Sequence, residues 1–216
     1  MRVLTWNLFH GRAVPPAGRS LEREFRAALA GWEWDVALLQ EVPPWWPALW
    51  PWPHDLALTS RNLGLPLRRA LATRRPDAVK SSGGGANAIL VRDGTPLGLR
   101  WRRRLRLWPE RRVAHGVRLG DTWVLNLHAQ VHSDARACAD LAAAAERWRA
   151  APRVVLGGDM NVRRPRADGF VHAGGHGVDH VLVRGFAHVR AEALERGRLS
   201  DHAPVLVELT RQDGGR

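Results

Sequence analysis

Two segments near the end of the chain, Val178-Asp179-His180-Val181 and Leu199-Ser200-Asp201-His202, set carboxylates and imidazoles against aliphatic runs. The same placement recurs upstream. Asn7 closes the run that begins at Val3, Glu41 the run from Val36, and His128 the run from Trp123; Asp159 and Asn161 follow Val154-Val155-Leu156-Gly157-Gly158. Any one of these residues would pass for a cap or a turn. As a set they share one position, the end of an apolar strand. Buried charge is costly unless it is paired or bound to a metal, so several strands that deliver such groups to their ends imply one shared polar cleft. Oxygen donors from Glu, Asp and Asn suit Mg²⁺ or Mn²⁺, hard cations that keep several waters and meet phosphate oxygens. Histidines beside them can give or take protons near neutral pH.

The elements that would position these groups can be read in order. A strand over residues 3–8 precedes a Pro/Gly loop at 11–18. Leu21, Phe25, Ala28 and Leu29 recur at helical spacing, with Ser20 placed to cap. Residues 35–41 are too short for a helix and stop at Pro43-Pro44, which predicts a buried strand. Residues 43–53 hold Trp45, Trp46, Trp50 and Trp52 without a charge. They read as a loop and short helix sealing one edge of the core; an aromatic platform for bases or a membrane interface is the functional alternative. Strands are expected at 55–60, 86–91, 113–119 and 122–128, and an irregular basic stretch at 63–76. The glycines at 83–85 lack the Gly-Lys-Ser/Thr of a phosphate loop and read as a tight turn. Residues 99–107 alternate, with Leu99, Trp101, Leu105 and Leu107 on one face and Arg100, Arg102, Arg104 and Arg106 on the other. This predicts a half-buried strand whose arginine row is a solvated face or tracks a phosphate backbone. An amphipathic helix follows over 133–150, then a loop over 163–177.

A chain of 216 residues with no internal linker reads as one domain over 1–210 with a frayed tail at 211–216. No apolar stretch approaches the ~20 residues of a membrane span, and the opening residues lack a signal peptide's apolar core. A cytoplasmic monomer is the default expectation. Cys138 is the only cysteine, which excludes internal disulfides and cysteine-based zinc sites; its Ala-rich helix suggests a buried thiol. The net charge of +12 favours anionic partners, nucleic acid first. Lys80 is the only lysine, however, and an arginine-for-lysine bias also arises from a GC-rich genome.

Thr5-Trp6-Asn7, Leu39-Gln40-Glu41, Gly158-Asp159-Met160-Asn161, Val178-Asp179-His180-Val181 and Ser200-Asp201-His202 resemble, in order and spacing, the signatures of the endonuclease/exonuclease/phosphatase family. Leu125-Asn126-Leu127-His128 and Gly85-Ala86-Asn87-Ala88-Ile89-Leu90 are similar to its weaker motifs. The resemblance implies a deoxyribonuclease-I-like α/β (α+β) fold: a four-layer α/β/β/α sandwich of two mostly antiparallel sheets with outer helices. It implies Mg²⁺- or Mn²⁺-dependent hydrolysis of a phosphoester. By position, Glu41 would be the main metal ligand, with Asn7 beside it and Asp201 at the metal side. Asp159 would orient or deprotonate water, and Asn161 would hold a phosphate oxygen. His202 would contact the phosphate, its tautomer set by Asp179, and His128 would stand near the leaving group. Asn126 and Arg112 are further expected substrate contacts. Phe9 stands where many family nucleases carry a second acid, which weakens the case for a second metal. Abasic-site endonucleases place a tyrosine where His128 stands, and this chain has no tyrosine.

The leading expectation is a divalent-metal-dependent phosphodiesterase, a nuclease first. The alternative is the same fold acting on a small or lipid phosphoester, motivated by the tryptophans. A non-catalytic nucleic-acid-binding module stands third.

Overall fold

The computed structural model describes residues 1–59, 65–79, 85–92 and 94–212. The expected turn at Gly83-Gly84 and the tail at 213–216 lie outside the described residues. The strands are β1 (Arg2–Asn7), β2 (Val36–Val42), β3 (His54–Leu58), β4 (Ala86–Val91), β5 (Arg100–Arg106), β6 (Arg112–Leu119), β7 (Thr122–His128), β8 (Val154–Asp159), β9 (Val171–His176), β10 (Asp179–Arg184), β11 (Phe186–Ala193) and β12 (Val205–Arg211). The helices are α1 (Glu22–Gly31), α2 (Leu65–Arg74) and α3 (Asp134–Ala145). One sheet runs β11-β12-β1-β2-β4-β3 and the other β5-β6-β7-β8-β10-β9. β1 with β2 and β7 with β8 are parallel; the remaining pairs are antiparallel.

Period-2 alternation sorts each strand's side chains between two cores. Val3, Leu38, Val124, Val155, Val181 and Val183 meet between the sheets. Leu4, Trp6 and Leu39 point the other way onto Phe25 and Leu29 of α1. Leu125, Leu127, Leu156 and Leu182 pack on Ala137, Leu141 and Ala144 of α3. This is the expected four-layer sandwich. Trp46 and Trp50 are 4% and 6% exposed, and Trp45 and Trp52 pack on the α1 core. The tryptophan segment therefore seals an edge of the core.

Five local expectations need correction. Ser20 does not cap α1; Leu21 precedes the helix without a side-chain cap bond. The basic stretch forms α2, and its apolar period is weak because Ala72 is its one buried residue among those described. The 163–177 loop contains β9, an edge strand whose mostly exposed residues give no alternating signal. Cys138 is exposed, since the buried stripe of α3 runs through Ala137, Asp140, Leu141 and Ala144. On β5 the arginine row is not simply solvated. Arg100 Nε and Arg102 reach the buried Asp55 Oδ1 at 3.3 and 3.0 Å. Past a register shift between Arg104 and Arg106, Arg106 turns to Asp140 of α3. No helix among the described residues is long and apolar enough to cross a membrane.

Candidate active site

The row of side chains facing between the sheets is apolar along most of each strand and turns polar at one end. On β1 it reads Val3, Thr5, Asn7; on β7, Val124, Asn126, His128; on β8, Val155, Gly157, Asp159; on β10, Val183, Val181, Asp179. The strand registers bring these ends together. His128 and Asp179 both sit opposite Asp159, and Asn7 sits opposite Gln40. A polar pocket at one mouth of the sandwich follows from alternation plus register.

Gly157 and Gly158 make the approach possible. A Cβ on Gly158, at φ 145°, would lie 1.8 Å from the Leu127 carbonyl oxygen, and one on Gly157 would meet Leu38. Asp159 is the hub. Its Oδ2 accepts from Asn7 Nδ2 at 3.0 Å, and its Oδ1 accepts from the Asn161 backbone N–H at 3.1 Å. His128 Nε2 lies 3.5 Å from Oδ2, and His202 Nε2 lies 4.0 Å from it. His202 Nδ1 bonds Asp179 Oδ2 at 2.6 Å. The Ser200 hydroxyl donates to the Asn7 carbonyl at 2.6 Å and accepts from the His202 N–H at 3.1 Å, which pins the Ser-Asp-His segment to the end of β1. Asp201 is exposed at the rim, 3.9 Å from His202 Nε2.

Glu41 reaches the same mouth by a break in alternation. The β2–β4 register shifts between Leu39 and Val42, and Glu41 takes φ 51°. A bulge of this kind re-aims a side chain. Gly85 lets the strands close there, since a Cβ on it would stand 2.7 Å from the Glu41 Cα. His10 Nε2 lies 3.2 Å from Glu41 Oε2. Phe9, His10, Glu41, Asn161 and Ser200 all have positive φ, a costly conformation for such residues that concentrates at functional sites.

The electrostatics divide the groups. Burial raises the Asp159 carboxyl, opposed by His202 and the Asn7 hydrogen bond. Burial holds His128 well below the usual imidazole value, and its neighbours Arg112, His202 and His10 add to it, so His128 is neutral. Burial works against charge on His202 too. There the Asp179 hydrogen bond and the Asp179, Asp159 and Asp201 charges prevail and raise it to about 9, so it is an imidazolium. Burial raises Asp179 in turn, and its contact with His202 opposes the rise.

Of the residues singled out by sequence, Asn7, His128, Asp159, Asn161, Asp179 and His202 form one contact network, with Glu41 and Asp201 on its flanks. Asn161 Nδ2, the donor that would hold a phosphate oxygen, is already tied to the Ala129 carbonyl at 3.1 Å. Asn126 is a correction. It is fully buried, donates to the Leu39 and Ala88 carbonyls at 2.9 Å each, and accepts from Gln40 at 2.8 Å. It stitches the sheets together beneath the cleft and has no group for a substrate. Arg112 is buried, ion-paired with Glu110, and acts on the cleft through its charge. Sequence reasoning missed His10 and the tether role of Ser200. The His-Gly pair directly after the first strand was the available signal for His10.

Asp159 and Asp179 bring carboxylate oxygens to one place beside His202, which as an imidazolium has no lone pair to give, and Asp179 Oδ1 is buried without a hydrogen-bond partner among the described residues. Glu41 and Asn7 add oxygens at the neighbouring strand ends. An orphaned carboxylate oxygen in an oxygen-rich pocket is what a hard divalent cation relieves, so the donor set fits one.

A model of the Endonuclease/Exonuclease/phosphatase family matches residues 4–202, and the chain belongs to that family. Among solved structures it is similar to a functionally unknown conserved protein from Enterococcus faecalis (15% identity, 98% of this chain and 100% of that one, TM-score 0.72). It is also similar to a mannosyl-6-phosphatase from Bacteroides thetaiotaomicron (17%, 97% and 99%, 0.69). A third is D. rerio TDP2 complexed with single strand DNA product (13%, 97% and 98%, 0.66). At these identities the likeness is one of fold. No curated protein matches the chain.

Proposed function

We propose that the protein is a divalent-cation-dependent phosphodiesterase that cleaves nucleic acid. One observation carries this reading. Asp159, raised by burial and oriented by Asn7 and Asn161, stands 4.0 Å from an imidazolium that Asp179 sustains. A base and a cationic donor are thereby held side by side.

Asp159 takes a proton from water as the water oxygen attacks phosphorus in line with the leaving oxygen. His202 presents Nε2–H and its charge to a non-bridging oxygen as negative charge grows there. Asn161 Oδ1 and the backbone around it orient the attacking water. His128, being neutral, gives the departing alkoxide a hydrogen bond without competing for the proton on Asp159. The P–O bond breaks, and the proton taken by Asp159 returns through solvent to the alkoxide. A divalent cation would be held by Glu41, with Asn7 and Asp201 nearby, and would supply charge stabilisation and alignment of the phosphate. Positioned acid–base groups contribute typically ~10²–10⁴-fold, and positioning with electrostatics accounts for most phosphoryl-transfer catalysis.

The rival substrate, a small or lipid phosphoester, drew on an exposed tryptophan surface at 43–53. Trp46 and Trp50 belong to the core and Trp45 and Trp52 are half-buried against it, so the segment serves chiefly to pack. The test is plasmid degradation with Mg²⁺ or Mn²⁺. The reading expects cleavage that stops with EDTA and in Glu41→Gln and His202→Ala. Undiminished cleavage in both variants, or turnover of small phosphomonoesters alone, would overturn it.

A further inference from the structure

The two sheets leave open edges on one flank, where β3 of the first faces β5 and β6 of the second. Between them lies a trough of about 500 Å³. Pro44, Leu58 and Val113 make its apolar floor, and Arg102, Arg104 and Arg111 line its sides without a carboxylate among the lining residues. The trough begins where the cleft ends. Leu58 pairs with Ala86, which follows the Gly85 pressed on Glu41, and Val113 follows the Arg112 whose charge acts on His128. Arg102 is tied to Asp55, but neither Arg104 nor Arg111 makes an ion pair among the described residues, and Arg111 Nε is buried without a partner.

The connection from β5 to β6 carries Leu107 and Trp108, 60% and 75% exposed. Ten other tryptophans serve the chain, and those at 43–53 are buried or half-buried against the α1 core. Trp108 makes no ring contact among the described residues, whereas Trp46, Trp50, Trp101 and Trp148 do. A large aromatic left in solvent on the same short connection that carries Arg111 into the trough calls for a ligand that brings both phosphate and a planar ring.

We infer that this trough is a binding site for a single-stranded segment of nucleic acid, with Trp108 stacking a base and Arg104 and Arg111 holding the flanking phosphates. The inference rests on the phosphodiesterase reading and adds the strandedness and path of the substrate. Arg104 lines the trough from β5 and Arg111 from the connection to β6, so two cations without a carboxylate partner among the described residues can meet successive phosphates of an extended chain. The apolar floor suits bases that are unstacked and turned towards the protein. A duplex hides its bases and presents phosphates alone, which would leave the floor and Trp108 without a role. The chain's net charge of +12 adds attraction at long range.

The test is fluorescence anisotropy of a labelled oligothymidylate of about 12 nucleotides in EDTA, so that binding is read without cleavage. Wild type, Trp108→Ala and Arg104→Glu are compared, with hydrolysis of bis(p-nitrophenyl) phosphate in Mg²⁺ as a separate readout of the cleft. The expected result is weakening by about tenfold or more in each variant, a smaller salt slope for Arg104→Glu, weaker binding of the matching duplex, and unchanged turnover of the small diester. Equal oligonucleotide affinity in all three proteins would overturn the inference. So would tighter binding of duplex, or binding to phosphatidylglycerol vesicles that the variants lose while oligonucleotide binding stays. Failure of every protein to hydrolyse the small diester would instead remove the phosphodiesterase reading, and the anisotropy would still decide the trough.

Discussion

Asn7 Nδ2 donates to Asp159 Oδ2 at 3.0 Å across 152 residues of sequence, joining the end of a strand in one sheet to the end of a strand in the other. This bond favours the ionised carboxylate against the burial that opposes it. Asn7→Ala removes it. The Asp159 carboxyl then rises further, and the acidic limb of kcat/KM moves to higher pH. At neutral pH activity falls by about 10²-fold. A pH–rate profile of the variant checks both.

The Asp179–His202 pair sets the other limb. His202 is raised to about 9, so its imidazolium persists below that pH and is lost as pH climbs through it. Wild-type activity therefore declines above about 9. In Asp179→Asn the hydrogen bond and charge that raise His202 are gone, and the decline begins at lower pH, with kcat reduced by roughly 10²–10⁴-fold. NMR titration of the His202 ring protons measures the shift directly.

Stability has its own pH window. His115 is fully buried, its Nε2 lies 3.8 Å from Asp55 Oδ2 without a hydrogen-bond partner among the described residues, and burial outweighs the Asp55 charge and lowers it to about 4. The folded state thus holds His115 neutral while the unfolded chain takes up a proton near its ordinary value of 6.5. The stability gained from this group is complete above pH 6.5 and is lost as pH falls towards 4. The loss is on the order of 3 kcal/mol. Chemical denaturation of wild type and His115→Leu between these pH values should show a steeper decline in wild type.

Gly158 admits no side chain. A Cβ there would overlap the Leu127 carbonyl at 1.8 Å, inside the pairing that sets His128 opposite Asp159. Gly158→Ala should cost on the order of 4 kcal/mol or prevent folding, read by thermal denaturation. Gly157→Ala meets the movable end of Leu38 and should cost less.

Much of the site was legible because alternation is simple to project. Once 154–159 is a strand with Val155 inward, Asp159 must also face inward, and the same parity places Asn7 and Asp179. The four-layer fold came from the resemblance to the family, and the apolar residues on both faces of the central strands are its physical ground. Other features have no such local signature. Glu41 enters the cleft through a bulge, which parity alone would deny. Asn126 satisfies the parity rule and is nonetheless consumed by sheet-to-sheet hydrogen bonds that depend on the partner sheet. β9 and α2 sit at the periphery, where few buried side chains remain to write a period into the sequence. Tryptophans at 43–53 and Trp108 are chemically alike; only packing separates core from surface.

The account depends most on Asp159 acting beside His202 in one cleft. Its direct measurement is the rate of bis(p-nitrophenyl) phosphate hydrolysis by wild type and Asp159→Asn, with Mg²⁺ supplied and then withdrawn by EDTA. The account predicts turnover by wild type that EDTA abolishes, and a fall of ~10²–10⁴-fold in Asp159→Asn with folding intact. A folded Asp159→Asn protein as active as wild type would contradict it.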